Sequence, residues 1–357
     1  MQAQAYNRGG LVPLSRRHVT AADVRKGRVT LADVAGNQIL TSMSIMAVNN
    51  LKGFAHHKIF PRVPINAPTG QYFVHSAADA MRDVSRAIAA GSSHPYATVG
   101  GGYTSFTAQE YGVATFIPRQ VSQSENSKQQ AEAAVKFLTN WLMIGEERRF
   151  AAAALTTGVW GTDYVGGTDF DRFGTQATGA LNASAVPMSA ILRGIERAGE
   201  RGPDANTLFI SSVVWNIMTR HPDVLATFQY VKGGMLTAEH LAGYLREVTS
   251  DPDFQVIIGK ASYNSAAEGA TPVLGRIHSD YMWIGYVDRA PGDYSAGAGA
   301  TLTWVDFDQE DFSEIPSIGV DSYYDEERRI DVYRGNLFRV YQVTNANAGV
   351  FYSDCLA

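Results

Sequence analysis

Between Ser124 and Leu155 the chain carries its longest helical pattern. Ala131, Ala134, Val135, Leu138, Trp141, Leu142 and Gly145 recur at three- and four-residue spacing, which places one apolar stripe along a helix. SKQQAEAAVKFLTNWLMIGEERRFAAAAL contains no proline and a single glycine. Ser127 with Gln130 fits a capping box, and Ser122 and Ser124 offer further caps. Starting near Ser124, the helix would run roughly 45 Å, well beyond the average globular helix. Such a spar is expected to stay exposed along much of its other face.

Ahead of the spar the pattern is strand-like in two places and irregular between them. QYFVH (71–75) and YGVATFIP (111–118) are rich in aromatic and β-branched residues. AAGSSHPYATVGGGYTSF (89–106) carries the Gly, Ser and Pro punctuation of turns. The sum is a long excursion with paired ends. Residues 1 to 50 mix Gly, Pro, Arg and Ser with short apolar patches such as Ile39-Leu40, and read as an arm laid on something else.

After Thr156 the chain turns loop-like, and a shorter helix follows from Met188 to Gly199 with Gly202-Pro203 as its stop. NTLFISS (206–212) reads as a buried strand, VVWNIMTRHPDVL as a helix broken before Pro222, and TAEHLAGYLRE (237–247) as a helix capped by Thr237. Strands are expected at FQVIIGKASYN (254–264), YMWIGYVD (281–288) and ATLTWVDFD (300–308). IDVYRGNLFRVYQVT (330–344) gives a strand of roughly 50 Å. The fold class is α+β, with no internal repeat.

Composition adds a surface argument. Charged residues make up 18%, below the usual quarter, as large non-solvated surfaces including subunit contacts would produce. Seven of the thirty basic residues are lysine. Arginine suits bidentate pairing at interfaces, and a GC-rich genome explains the bias equally well. A net charge of −5 suggests no dedicated nucleic-acid groove. Cys355 is the one cysteine, so neither an intramolecular disulfide nor a Cys-ligated zinc site is expected. The N-terminus lacks the apolar stretch of a signal peptide, and no run reaches the eighteen residues of a membrane span. The expected environment is a reducing cytoplasm.

The search for chemistry returns little. Gly100-Gly101-Gly102 lacks the lysine and the following helix of a phosphate cradle, and reads as a flexible loop. Asp163, Asp169 and Asp171 invite a calcium reading, but Ala180 stands where a loop from Asp169 needs its closing glutamate. Turn aspartates are the simpler account. His56 and His57 are adjacent, and on a strand would face opposite ways. His221 before Pro222 reads as a helix-end histidine favourable to the dipole. Asp306, Asp308, Glu310 and Asp311 form an acidic run of the solvated kind. Arg328-Arg329 beside Asp325-Glu326-Glu327 suggests ion pairs within or between chains. No catalytic constellation, cofactor or metal is expected.

The order of elements carries more. Arm, strand-edged excursion, spar helix, α/β section and long closing strand together resemble the major capsid proteins of tailed bacteriophages, the Hong Kong ninety-seven capsid fold. IFPRVPINAPTGQYFVH, GVWGTD (158–163), PDANTLFISSVVWNIMTRHPDVL (203–225) and GKASYNSAAEG (259–269) are similar to segments of one branch of that family. So is the stretch from YMWIGYVDRAPG through LTWVDF.

The resemblance implies residues 1–53 as N-terminal arm, 54–120 as an extended β-hairpin loop, and 121–202 as a peripheral domain with the spine helix. It implies 203–315 as an axial domain and 316–357 as return strands of the peripheral domain. By the same resemblance the protein would self-assemble as hexamers and pentamers into an icosahedral head around double-stranded DNA. Portal, separate scaffolding and decoration proteins would be partners, and no membrane. It would be a virion component assembled in the host bacterial cytoplasm. A decoration or tail protein, or an enzyme with an unrecognised site, is the alternative. Inter-subunit contacts would involve Phe60, Arg62, Tyr72, Phe73, Tyr103 and Phe106 of the loop, Arg16 and Arg17 of the arm, and Arg328 and Arg329. Non-specific DNA contact would come from the basic first thirty residues, unless those arginines pair with acidic neighbours instead.

Two departures from the family pattern are legible. Arm-like sequence begins at Met1, so scaffolding is expected from a separate protein. Some members cross-link through a loop lysine, whereas here no lysine falls between Lys58 and Lys128. Particles of this chain are therefore expected to separate into single-chain bands on a denaturing, reducing gel, even though Cys355 could pair between subunits after lysis. A ladder of covalent multimers on that gel would contradict the expectation.

Overall fold

Backbone pairing organises the chain, seen here in a computed structural model. The structure describes residues 53–75, 79, 81–88, 92–94, 96–119, 127–228, 236–267, 269–291, 295–304 and 319–357. The arm with Arg16 and Arg17, the serines at 122 and 124, and the acidic run from Asp306 to Asp311 lie outside the described residues. Contacts divide the chain into two compact units. One comprises Met1–Asn50, Tyr111–Leu142 and Asp308–Leu337; the other comprises Leu51–Glu110, Met143–Phe307 and Phe338–Ala357.

The chain enters through a short helix α1 (His56–Ile59) and strand β1 (Arg62–Ile65). Strands β2 (Thr69–His75) and β3 (Gly101–Thr107) then pair antiparallel from Thr69↔Thr107 to His75↔Gly101. The Gly-rich stretch expected to be a turn thus forms a strand, because pairing with β2 outweighs weak local propensity. Gly101 is required there: a Cβ would strike the Phe73 ring. The ring of Phe106 likewise lies over its register partner Gly70. Strand β4 (Gln109–Pro118) pairs not with β2 but with the long strand β13 (Ile330–Val343).

The spar is helix α2 (Ser127–Ala154), 28 residues or about 42 Å. In the first unit its Val135, Leu138 and Leu142 are buried as the stripe requires. Trp141 is not on that stripe: it is 47% exposed and stacks on Phe137, one turn earlier, at 6.0 Å. In the same unit β12 (Gly319–Asp325) pairs with the first half of β13, where cross-strand partners Asp321 and Arg334 form an ion pair of 2.6 Å.

In the second unit a sheet runs β5-β14-β10-β6-β7. Its strands are β5 (Thr162–Val165), β6 (Thr207–Ser211), β7 (Gln255–Gly259), β10 (Met282–Gly285) and β14 (Gly349–Ser353). Every residue of β6 and β10 is buried, which accounts for their unbroken apolar text. The loop-like region after Thr156 holds one surprise, β5, which pairs parallel with β14. Helix α3 (Pro187–Arg201) lies so close over β10 and β14 that a Cβ on Gly194 would meet Ile284 and Tyr352. The Tyr352 hydroxyl donates to Ala190 O at 2.7 Å.

Helices α4 (Ser212–Met218), α5 (Pro222–Phe228) and α6 (Ala238–Thr249) follow β6 and lead to β7. Ser211 caps α4 and Thr237 caps α6. Strands β8 (Ser262–Asn264) and β9 (Leu274–Arg276) form a small exposed hairpin. Strand β11 (Gly299–Trp304) lies between β1, parallel, and the second half of β13, antiparallel.

A hydrophobic cluster in the second unit buries Phe60, Phe150, Trp160, Trp283 and Phe351 together. Phe60 meets Phe150 edge-on at 5.1 Å and covers Gly299, where a Cβ would strike its ring. Among the described residues no helix is long and apolar enough to cross a membrane. Phe60→Ala is expected to cost about 3–5 kcal/mol and Gly299→Ala about 1–3 kcal/mol in denaturant unfolding. Unchanged midpoints in both variants would contradict this packing.

Candidate functional site

Consecutive residues of a helix point about 100° apart, so Glu146 and Glu147 of α2 reach into different surroundings, yet both are fully buried. Each finds its own partners in the second unit. Glu146 receives Nη1 of Arg339, from β13, at 2.6 and 2.8 Å. Glu147 accepts the backbone N–H of Ala55 at 3.0 Å and of His56 at 3.1 Å. The same carboxylate accepts His56 Nδ1 at 2.7 Å and His278 Nε2 at 2.6 Å. His56 Nε2 lies 3.5 Å from Glu146, so one imidazole spans both glutamates.

A carboxylate only accepts, which fixes the protons. His278 donates through Nε2, and its Nδ1 lies 2.9 Å from the Tyr281 hydroxyl, placed to donate in return. Burial would push both carboxyls up. The Arg339 charge and His56 outweigh it at Glu146, and hydrogen bonds from His278 and His56 outweigh it at Glu147, so both sit well below the ordinary range. Burial would also drive His56 towards neutrality, but its bonds to Glu146 and Glu147 prevail and its pKa is raised. Its neighbour His57 is pushed down to about 3 by burial and by the nearby charges of His56, Lys58 and Arg62. The two adjacent histidines are thus pushed in opposite directions, His56 up and His57 down.

With each buried charge paired, this arrangement is built to hold segments together. Among the described residues no group of three or more His, Cys, Asp and Glu has the geometry to hold a metal ion. His56 and His57, which on a strand would face opposite ways, instead open α1, and the sequence reading passed over Glu146-Glu147. The available signal was a paired His-His and Glu-Glu, with the glutamates next to the buried flank of an amphipathic helix.

The other prominent surface is the β2–β3 hairpin. Neither strand contains a fully buried residue. Phe73 is 41% and Tyr103 73% exposed, and their rings meet edge-on at 5.1 Å. Tyr72 and Phe106, half-buried, stack on the opposite face. Of the residues expected to touch neighbouring subunits, Phe60 is a correction, since it is fully buried in its own chain's core. Arg62 is half-buried on β1, close enough for its charge to bear on Glu146. Arg328 and Arg329 are exposed in the β12–β13 turn, where Asp325 accepts the N–H of Glu327 and Arg328, and Arg329 has φ 54°.

Other candidates change role. Asp163 accepts the Gly158 N–H, and Asp169 accepts that of Val165 at 2.8 Å, so both cap turns, while Asp171 is exposed. His221 stands at the start of α5, where a positive ring is unfavourable. Its Nδ1 instead accepts the Asp223 N–H at 3.3 Å, and its Nε2 faces Asn182 O at 2.9 Å. Cys355 is fully buried, and burial pushes its thiol well up, so it is not presented for pairing between subunits.

No protein-family model and no curated protein matches the sequence. Solved structures do match by shape. A phage-related protein from Bordetella bronchiseptica is 16% identical with a TM-score of 0.62, covering 90% of this chain and 97% of its own. At a TM-score of 0.48 and 10% identity follow a virus-like particle from Pyrococcus furiosus (88% of this chain, 98% of that one) and the capsid of the cyanophage P-SCSP1u (82% and 86%). The chain shares its mixed α+β fold with the phage-related protein over nearly the full length of both.

Arg339→Met leaves Glu146 buried without its main partner and is expected to cost about 3–5 kcal/mol. Adding Glu146→Leu should restore most of that, because an apolar pair of similar volume replaces a paired charge at little cost. Denaturant unfolding of the single and double variants checks this; a double variant as unstable as the single one would contradict it.

Proposed function

We propose that this chain is the major capsid protein of a tailed phage, assembling as hexamers and pentamers into an icosahedral shell around double-stranded DNA. The observation that carries the reading is the β2–β3 hairpin. Two antiparallel strands without a buried residue form a sheet too small to be stable alone in water. Its exposed Phe73 and Tyr103 rings supply the apolar area that a neighbouring copy would cover. The fold shared with the phage-related protein supports the same reading.

In this reading residues 1–53 are the arm, 54–120 the extended loop, and 203–315 the axial domain. Residues 121–202 and 316–357 build the peripheral domain. Tyr72, Phe73, Tyr103 and Phe106 contact neighbours through the loop; Arg62, Arg328, Arg329 and the arm's Arg16 and Arg17 add polar contacts. Portal, scaffolding and decoration proteins and packaged DNA are the further partners, and the virion is the destination. Shell formation is a structural role with no catalytic step.

Electron microscopy of the purified chain is expected to show shells or capsomers. Phe73→Ser with Tyr103→Ser should leave the melting temperature within about 4 °C, as for exposed substitutions, while shell yield collapses. Normal shells from that variant would remove the hairpin from assembly, and discrete small particles from the parent chain would favour a decoration or tail protein.

A further inference from the structure

The assembly reading makes no use of the bonds at Glu147. Three of its donors, the N–H of Ala55 and the N–H and Nδ1 of His56, belong to the first turn of α1. That helix is four residues long and its N-cap position offers no side-chain hydrogen bond. One turn cannot hold itself in water. The carboxylate of α2 takes the place of the missing cap, and α1 leads directly into β1 and the excursion.

We propose that Glu147 and His56 form a proton-linked latch, which pins the root of the excursion to α2 and to the loop carrying His278 and lets go when His56 gives up its charge. The latch is a property of the single folded chain and does not rest on the assembly reading.

The sign follows from the two partners. Glu147 and Glu146 lie below their ordinary 4.5, so their contribution is complete above that value and is lost as the pH falls through their depressed range. His56 lies above its ordinary 6.5, so its contribution is complete below 6.5 and is lost as the pH rises through the raised value. The latch is therefore fully closed between pH 4.5 and 6.5 and opens on the alkaline side.

The surrounding groups do not cancel this. From α1, His57 is pushed down to about 3 and stays neutral across the window, while Lys58 adds positive charge. Arg62 of β1 and Arg339 of β13 face Glu146 as fixed cations. From α2, the charge of Arg149 bears on Tyr341 of β13, which burial keeps protonated. From the loop before β10, burial raises Tyr281, with the charges of Glu147 and Asp280 adding to it, so its hydroxyl remains able to donate to His278. His56 is thus the member whose titration unbalances the cluster on the alkaline side.

Amide hydrogen exchange on the full chain, read by mass spectrometry over peptides spanning 54–60 and corrected for intrinsic rates, tests this from about pH 5 to about pH 9. Protection is expected to hold up to about pH 6.5, to fall by at most about tenfold per pH unit from there to the raised His56 value, and to level off above it. His56→Gln keeps a side-chain N–H but cannot titrate, so its profile should be flat. Glu147→Gln should lower protection at every pH. A flat profile in the parent chain, or the same slope in His56→Gln, overturns the proposal. Should Glu147→Gln fail to fold, the parent and His56→Gln profiles decide alone. Failure of the assembly reading would appear in micrographs and leave these profiles unchanged.

Discussion

An ionised carboxylate buried away from water is tolerable only if the protein replaces its hydration with donors of its own. Glu147 imposes that condition on the second unit. Its donors come from positions 92, 91 and 131 residues distant in sequence, and each had to be brought within hydrogen-bond reach. Glu146 adds Arg339 from a further 193 residues along. The polar cluster fixes which segments meet, and the aromatic cluster of Phe60, Phe150, Trp160 and Trp283 packs around the meeting point. Hydrophobic burial supplies most of the driving force, while the charges leave little freedom in register.

The contrast with the β2–β3 hairpin divides the molecule by how its groups are satisfied. In the core sheet, buried strands sit between partners on both sides, and Tyr352 and Asn206 find acceptors or donors across elements. In the hairpin, aromatic rings are left partly in water although the strands are correctly paired. The chain thus completes one region and leaves another partly open to water. Exposed rings such as Phe73 and Tyr103 are apolar surface left in contact with water.

Much of this could be read from the amino acids. Helix α2, the Thr237 cap, the break before Pro222 and the strands at 207–211, 282–285 and 330–343 follow from periodicity and local caps, which are short-range properties. Strand β3 could not be read so, because Gly101 and Gly102 have no strand propensity and are held by β2 alone. Nor could β5, four half-buried residues whose order comes from a parallel partner nearly two hundred positions away. Trp141 misled because its spacing fits the apolar stripe, while its bulk faces outward with Phe137. The charge cluster was the deepest omission. Its members look like surface residues one by one, and only the tertiary meeting of His56, His278 and Arg339 turns two glutamates into core residues.

The distances along the chain between these partners also bear on how the molecule comes to exist. Thr301 reaches Phe60 across 241 residues, and every bond named between the charge cluster and α2 spans ninety residues or more. Contacts so remote form late, since their loop-closure entropy is lost before any bond repays it. The β2–β3 pairing is far more local, so the hairpin with its exposed rings is ready before the interior has closed. During that interval a nascent chain carries exposed aromatic rings on an unfinished body, and crowding such chains together favours disordered clumping over folding. Production at a slow rate or a low temperature lengthens the spacing between unfinished chains, and so widens the path to the correctly closed subunit.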